Sequence, residues 1–149
     1  MSQKPNIVVI GAGSASFGPT TLATIIRDVR LHGSELALVD LNESALEIIA
    51  NVARRMSEAW DADLQISASA NRRDVLAGAD FVVVSIEAPP REKLWRLDWE
   101  VPLKHGLRQP YAENSGPGGF AHTCRNVPEM LAIAHDMAEL CPHAWLLNF

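Results

Sequence analysis

Short apolar runs alternate with longer amphipathic stretches along this chain. Such runs are typical of strands covered on both faces of a parallel sheet. The predicted strands are 6–10, 35–39, 65–69, 81–86 and 144–148, of which the third alternates polar and apolar residues.

Between the strands, apolar residues recur at the spacing of amphipathic helices. This spacing predicts helices over 19–31, 43–59 and 72–76, a helix that contains Trp95 and Trp99, and a long helix that Pro142 ends. The alternation of the two kinds of element predicts an α/β fold, a doubly wound parallel sheet with right-handed crossovers.

A glycine-rich turn follows the first predicted strand directly. Gly11 permits a tight turn, and Gly13 lets the backbone approach a ligand closely, because glycine has no side chain. Ser16 stands where a third glycine is usual, and the next glycine is Gly18. With a helix to follow, the turn predicts a site for the pyrophosphate of a dinucleotide. An ordinary glycine turn of an α/β protein is the alternative.

A carboxylate ends the second predicted strand. Asp40 is placed to accept hydrogen bonds from ribose hydroxyls and would repel a 2′-phosphate, which predicts NAD over NADP. A helix cap is the alternative role, but Asn42 is a better N-cap, with Leu41 and Leu46 spaced as a hydrophobic staple. We therefore expect a Rossmann-like NAD-binding domain over residues 1–149, truncated after the fifth strand where six are usual.

Composition narrows the class of protein. The 149 residues are 48% hydrophobic and 21% charged, which fits one ordinary globular domain. A net charge of −5 without a basic stripe argues against a nucleic-acid partner. The sequence shows no signal peptide and no membrane span, so we expect a cytoplasmic protein.

Polar residues gather after the fourth predicted strand, at the end of the sheet where ligands bind in such folds. A long loop runs from Gly106 to Gly119. Arg91, Arg96 and Arg108 could hold a substrate carboxylate in bidentate pairs, or form surface salt bridges, which is the preferred interpretation for Arg96. Trp95 and Trp99 are interpreted chiefly as a packed helix face, with a contact to substrate or to another subunit as the alternative.

Several segments resemble glycoside hydrolase family 4, the NAD- and metal-dependent glycosidases. They are Gly11-Ala12-Gly13-Ser14 followed by Phe17, Val101-Pro102-Leu103-Lys104-His105-Gly106, Gly116-Pro117-Gly118-Gly119, and the stretch from Leu140 to Asn148. Leu107-Arg108-Gln109 with a later acid resembles the α-galactosidase and α-galacturonidase branch. Glu87-Ala88-Pro89-Pro90 stands where phospho-glycosidase members carry arginine, which argues against a phosphosugar.

The resemblance implies hydrolysis by an oxidative route. In this family NAD accepts hydride from sugar C3, the leaving group is eliminated, water adds and the hydride returns, while a divalent metal, usually Mn²⁺, stabilises the enediolate. A small-molecule glycoside is the implied substrate, and the full-length protein is expected to be a homo-oligomer. Since the family's metal-binding Cys and His are expected beyond Phe149, the chain alone is expected to bind NAD without turnover.

The resemblance also assigns residues. Ser14 and Phe17 join Gly11, Gly13 and Asp40 in the implied cofactor site. Glu113 matches an acid near the family's active site, with a solvated loop acid as the alternative, and Asn148 matches an asparagine near nicotinamide and substrate. With Arg91 these two form the predicted substrate contacts, and no residue of the chain is predicted to be catalytic.

The cysteines and histidines are not assigned to the metal. Cys124 and Cys141 are predicted to be buried thiols, and His122, His135 and His143 surface residues.

Two other functions remain open. A lactate- or malate-type dehydrogenase shares this element order, although it gives the Gly-Pro-Gly-Gly segment no obvious role. A non-catalytic NAD-binding module is the other.

Overall fold

The computed structural model describes residues 4–109 and 115–149. The strands are β1 (Asn6–Ile10), β2 (Glu35–Val39), β3 (Gln65–Ser69), β4 (Phe81–Val84) and β5 (Trp145–Asn148). The helices are α1 (Gly18–Arg27), α2 (Glu43–Ala59), α3 (Arg91–Lys104) and α4 (Gly116–Leu140), with 3₁₀ turns at Val29–Leu31 and Arg72–Asp74. None of the helices in these described ranges is long and apolar enough to cross a membrane.

The five strands form one parallel sheet in the order β3-β2-β1-β4-β5. The chain moves outward from β1 to β3 and then returns to add β4 and β5 on the other side of β1. This is the predicted doubly wound, Rossmann-like α/β architecture, and the point of reversal lies between β1 and β4, where such sheets bind ligands.

Contacts divide the chain into two compact units, Met1–Ser85 with Asp136–Phe149, and Ile86–His135. The first unit holds the sheet, and the second holds α3 and most of α4. A single NAD-binding domain over residues 1–149 remains a prediction.

The core of the first unit follows the alternation of side chains along the strands. Ile7 and Val9 of β1 cluster with Leu36 and Leu38 of β2. The helices add fully or nearly fully buried side chains, which are Leu22, Ile26, Leu46, Ile49, Ala50 and Ala53. Each fully buried Leu or Ile contributes about 1.5–3 kcal/mol, so this cluster holds α1 and α2 on the sheet.

The start of α2 confirms one prediction and corrects another. Asn42 is the N-cap, and its side chain accepts the N–H of Ala45 at 3.1 Å. Leu41, however, is 87% exposed, so the predicted staple with buried Leu46 is wrong. The Asp40 carboxylate accepts the N–H of Asn42 at 2.9 Å, and Leu41 lies at the tip of that turn.

Other boundaries differ from the predictions in modest ways. The helix predicted to reach residue 31 ends at Arg27, because Asp28 is extended and its carboxylate caps a new 3₁₀ turn. The fourth strand ends at Val84, two residues early, and residues 72–76 form a shorter 3₁₀ turn at Arg72–Asp74.

An ion pair organises the second unit. Asp98 of α3 is buried, with 5% of the residue exposed, and its carboxylate accepts hydrogen bonds from both terminal nitrogens of Arg125 in α4. The Gln109 side chain donates to the Asp98 carbonyl at 3.2 Å and accepts the Gly118 N–H at 3.3 Å. Trp99 is 51% exposed, so the predicted packed Trp95–Trp99 face of α3 is wrong on that side.

The strand β5 is the last of the described sheet and keeps its apolar side chains in solvent. Trp145 is 71% exposed, Leu146 39% and Leu147 43%. The strand pairs with β4 on its inner side.

Candidate functional site

The carboxyl ends of four strands meet in register. Ile10 pairs with both Val39 and Val84, and Val84 pairs with Asn148. The glycine turn, Asp40 and Asn148 therefore share one edge of the sheet in the first unit.

The glycine turn is hydrogen-bonded to the end of β2. Gly11 has a φ of +86°, a conformation that side chains disfavour. The N–H groups of Gly11 and Ala12 both donate to the Val39 carbonyl, at 2.9 and 3.1 Å. The turn is thereby fixed at the end of the neighbouring strand.

Ser14 builds the second half of the turn. Its hydroxyl accepts the N–H of Phe17 at 3.2 Å, and its carbonyl accepts the N–H of Gly18 at 2.8 Å. The N–H groups of the exposed residues Ala15 and Ser16 find no acceptor within 4–109 and 115–149. Two free donors at the start of α1 suit an anionic ligand.

Gly18 performs the close packing expected of the missing third glycine. A Cβ atom at Gly18 would lie 2.4 Å from the carbonyl oxygen of Ala12. Only glycine allows α1 to begin this close to the turn. Sequence reasoning missed this role, although the pair Gly18-Pro19 at the start of the helix was an available signal.

Asp40 contacts the glycine turn directly. Its Oδ2 atom accepts the N–H of Gly13 at 2.8 Å, and a Cβ atom at Gly13 would lie 2.8 Å from the carboxyl carbon. Asn42 occupies the N-cap position, so the helix-cap alternative for Asp40 is wrong. The contact of Asp40 with ribose stays a prediction.

Phe17 lies at the same edge of the sheet. It is the residue before α1, and its ring centroid is 5.3 Å from that of Phe149. Its predicted contact with the cofactor, like that of Ser14, stays a prediction.

The second unit holds a cluster of side chains around the Glu87 carboxylate that sequence reasoning missed. Glu87 follows β4 in the chain, and its Oε2 atom is 2.7 Å from Nε of Arg91. The other oxygen accepts the indole N–H of Trp95 and lies 3.8 Å from Nδ1 of His122. The guanidinium of Arg91 also lies over the Trp95 ring, 4.5 Å from its centroid. Glu87 and Trp95 thus hold the predicted substrate residue Arg91.

The remaining predicted residues have mixed outcomes. Arg96 forms a surface ion pair with Glu100 at 2.6 Å, which agrees with the preferred interpretation of Arg96 as a salt-bridge residue. The predicted loop from Gly106 to Gly119 is too long at its end, because α4 begins at Gly116. Glu113 lies outside the described residues.

Metal ligands are not gathered in the described part of the chain. Between residues 4 and 109 and beyond 114, no three His, Cys, Asp or Glu side chains form a group that could hold a metal ion. Cys141 is buried, which raises the pKa of its thiol. Cys124 lies on the exposed side of α4, so its predicted burial is wrong.

The chain matches known proteins along nearly its whole length. The model of the family described as "Family 4 glycosyl hydrolase" matches residues 6–149. The chain is 44% identical to an alpha-glucosidase of Erwinia rhapontici, over 96% of this chain and 32% of that protein. It is 32% identical to an alpha-galactosidase of Bacillus subtilis, over 96% and 33%. It therefore spans about a third of the length of these curated relatives.

Solved structures share the fold. A 6-phospho-alpha-glucosidase from gut microorganisms, in complex with NAD and Mn²⁺, superposes with a TM-score of 0.83 at 23% identity, over 99% of this chain and 33% of that one. A lactate dehydrogenase of Cryptosporidium parvum superposes with a TM-score of 0.66 at 16% identity, over 100% and 38%. From the match of the family model, the chain belongs to the family 4 glycosyl hydrolases.

Proposed function

We propose that this chain is the NAD-binding part of a glycosidase that cleaves its substrate by transient oxidation of the sugar. The single observation that carries the proposal is the glycine turn: the Asp40 carboxylate accepts its Gly13 N–H, and the Ala15 and Ser16 N–H groups have no acceptor among the described residues. Amide donors suit a pyrophosphate, and a carboxylate suits ribose hydroxyls. The solved 6-phospho-alpha-glucosidase in complex with NAD and Mn²⁺ supports the same cofactor.

Each residue of the turn has a role in this proposal. Gly11 and Gly13 give the ligand access to the backbone, and Ser14 shapes the turn through its bonds to the Phe17 and Gly18 N–H groups. Asp40 accepts from the ribose and repels a 2′-phosphate.

Bound NAD would supply a hydride acceptor for a sugar carbon. Asn148 ends β5 at the same sheet edge as the turn, where its amide could hold the nicotinamide or a sugar hydroxyl. Arg91 and Glu113 are proposed as further substrate contacts. The described residues do not fit a Mn²⁺ site, so no step of the chain's chemistry is assigned to the metal.

The substrate class is proposed more broadly than the sequence predicted it. The motifs predict an α-galactoside or α-galacturonide, and the relative at 44% identity is named an alpha-glucosidase. We include α-glucosides in the proposal for that reason. A cytoplasmic location and a homo-oligomeric full-length protein complete it.

Calorimetric titration of the purified chain with NAD and with NADP tests the cofactor assignment. We expect NAD to bind and NADP to bind at least about tenfold more weakly, because a phosphate beside Asp40 would leave two like charges in contact. A chain that binds neither nucleotide would overturn the proposal. Equal affinities would remove Asp40 from the ribose.

A further inference from the structure

We infer that Asp40 is a positioning residue for the pyrophosphate turn, and that it supports diphosphate binding through its hydrogen bond to Gly13 even when the ligand has no ribose hydroxyls. The inference rests on the proposed function, since it assigns Asp40 a second task in the same nucleotide site. Ribose recognition alone would give Asp40 no favourable effect on the binding of a ligand without those hydroxyls.

The backbone N–H groups of the turn fall into two sets along the chain, those that are hydrogen-bonded within the protein and those that have no acceptor among the described residues. The first three N–H groups, of Gly11, Ala12 and Gly13, all donate to the end of β2, two to the Val39 carbonyl and the third to the Asp40 carboxylate. The N–H of Ser14 donates to the Gly11 carbonyl at 3.3 Å. The next two, of Ala15 and Ser16, are the free donors.

The Asp40 bond fixes the peptide on which the free donors depend. Because the Gly13 N–H points to Oδ2, the chain leaves Gly13 in one direction toward Ala15 and Ser16. Without the carboxylate, the Gly13 N–H has no partner at the end of β2, and the turn loses one of its three anchors. An anion site made of backbone donors is only as good as the geometry of those donors.

The two tasks of Asp40 do not compete. Oδ2 holds the N–H of Gly13 at 2.8 Å, and Oδ1 holds the N–H of Asn42 at 2.9 Å. A carboxylate oxygen has two acceptor sites, so each oxygen retains one for a ribose hydroxyl.

The charge of Asp40 and its positioning role predict changes of opposite sign in diphosphate affinity when the residue is replaced. Asp40 is an anion beside a site for another anion, so removing its charge without disturbing the turn would tighten diphosphate binding. Removing an anchor of the turn would weaken it. The sign of the change for a ligand that lacks ribose hydroxyls therefore separates the two roles.

The experiment measures the affinities of ADP and 2′,3′-dideoxy-ADP for the wild-type chain, Asp40→Ala and Asp40→Glu by calorimetry. We expect Asp40→Ala to weaken dideoxy-ADP about fivefold to tenfold, the equivalent of one lost hydrogen bond, and ADP by more. Asp40→Glu keeps the charge but displaces the carboxylate from the Gly13 N–H, so dideoxy-ADP should weaken there as well. Unchanged or tighter dideoxy-ADP binding in either variant would overturn the inference.

Controls separate folding and the parent proposal from this inference. Glu58→Ala, an exposed acid on α2, should leave both affinities unchanged. Asp40→Asn keeps an acceptor oxygen for the Gly13 N–H and should restore dideoxy-ADP binding relative to Asp40→Ala. Circular dichroism checks that each variant folds. If Asp40→Ala does not fold, the dideoxy-ADP affinity of Asp40→Glu tests the inference. A wild-type chain that binds neither NAD nor ADP would reject the proposed function instead.

Discussion

Gly18 shows how one absent side chain sets the start of a helix. Its backbone lies so close to Ala12 that an added Cβ would stand 2.4 Å from a backbone oxygen, which cannot rotate away. The first turn of α1 and the glycine turn are therefore a single packed unit, and an error in one displaces the donors of the other.

Gly18→Ala is expected to destabilise the chain by about 1–3 kcal/mol, the usual cost of overpacking, and to weaken NAD binding about tenfold or more. Thermal unfolding and calorimetric titration measure the two effects. Thr24→Ala on the exposed side of α1 is the matched control. Wild-type NAD affinity in Gly18→Ala would show that α1 can shift without moving the free donors.

Single residues were predictable where one local pattern decides their role. Asn42 was predicted as the N-cap because the spacing to the helix is local, and the structure confirms it. The Asp40–Gly13 bond joins residues 27 apart in sequence and depends on the register of β1 with β2. Sequence alone placed both residues in one site but could not pair them.

The strands were more predictable than the helix ends. The first three strands begin and end where the sequence pattern placed them: β1 and β2 are largely apolar runs, as a covered strand needs, and β3 alternates polar and apolar residues. The end of α1 was missed because apolar spacing continues to Leu31, while the Asp28 side chain takes the N–H of Arg30 and begins a new turn. A side chain that competes for backbone N–H groups leaves little trace in an apolar pattern.

A cluster of charges ties the last turns of α4 to the segment before β4. Asp136 lies 2.6 Å from Nε of Arg72 and also contacts Arg73, whose other nitrogen is 2.8 Å from Glu139. The hydrogen bonds from Arg73 and Arg72 hold the pKa of Asp136 below its ordinary value of 3.8. These partners are more than 60 residues away along the chain, so the local sequence pattern could not predict the contacts.

This lowered pKa predicts a dependence of stability on pH. A carboxyl whose pKa is lower in the folded than in the unfolded state stabilises the fold fully above the ordinary value of 3.8. The contribution is lost as the pH falls below 3.8 through the lowered pKa of the folded state. Asp136→Asn should therefore be less stable than wild type at neutral pH, and the difference should shrink in acid.

Urea unfolding at several pH values measures this difference. Glu129→Gln, an exposed acid of the same helix, is the control and should change stability little at any pH. A stability difference between Asp136→Asn and wild type that stays constant from neutral to strongly acidic pH would contradict the assigned role.

At the scale of the whole molecule, the doubly wound parallel sheet followed from the alternation of strands and helices. The cluster around Glu87 could not be predicted in this way, because Trp95, Arg91 and His122 contact Glu87 from two helices of the second unit. Contacts between helices are set by packing that a single sequence does not display. The glycine turn was thus predictable in outline, and the cluster around Glu87 was not.

The chain with NAD and Mn²⁺ is expected to release no nitrophenol from nitrophenyl α-galactoside or α-glucoside, because its described residues assemble no metal ligand set. Absorbance measures the release, and a full-length family 4 relative such as the Erwinia rhapontici alpha-glucosidase serves as the positive control. Turnover by the chain that a chelator abolishes would mean that ligands come together outside the described residues.

The exposed last strand has a practical consequence for the protein in solution. Among the described residues β5 pairs with β4 alone, and an outer edge that carries the exposed side chains of Trp145 and Leu147 is one to which another strand can add. Two copies of the chain can associate through such a surface, and a net charge of only −5 gives limited electrostatic repulsion between them. A high concentration of this chain is therefore expected to favour association through the outer edge of β5.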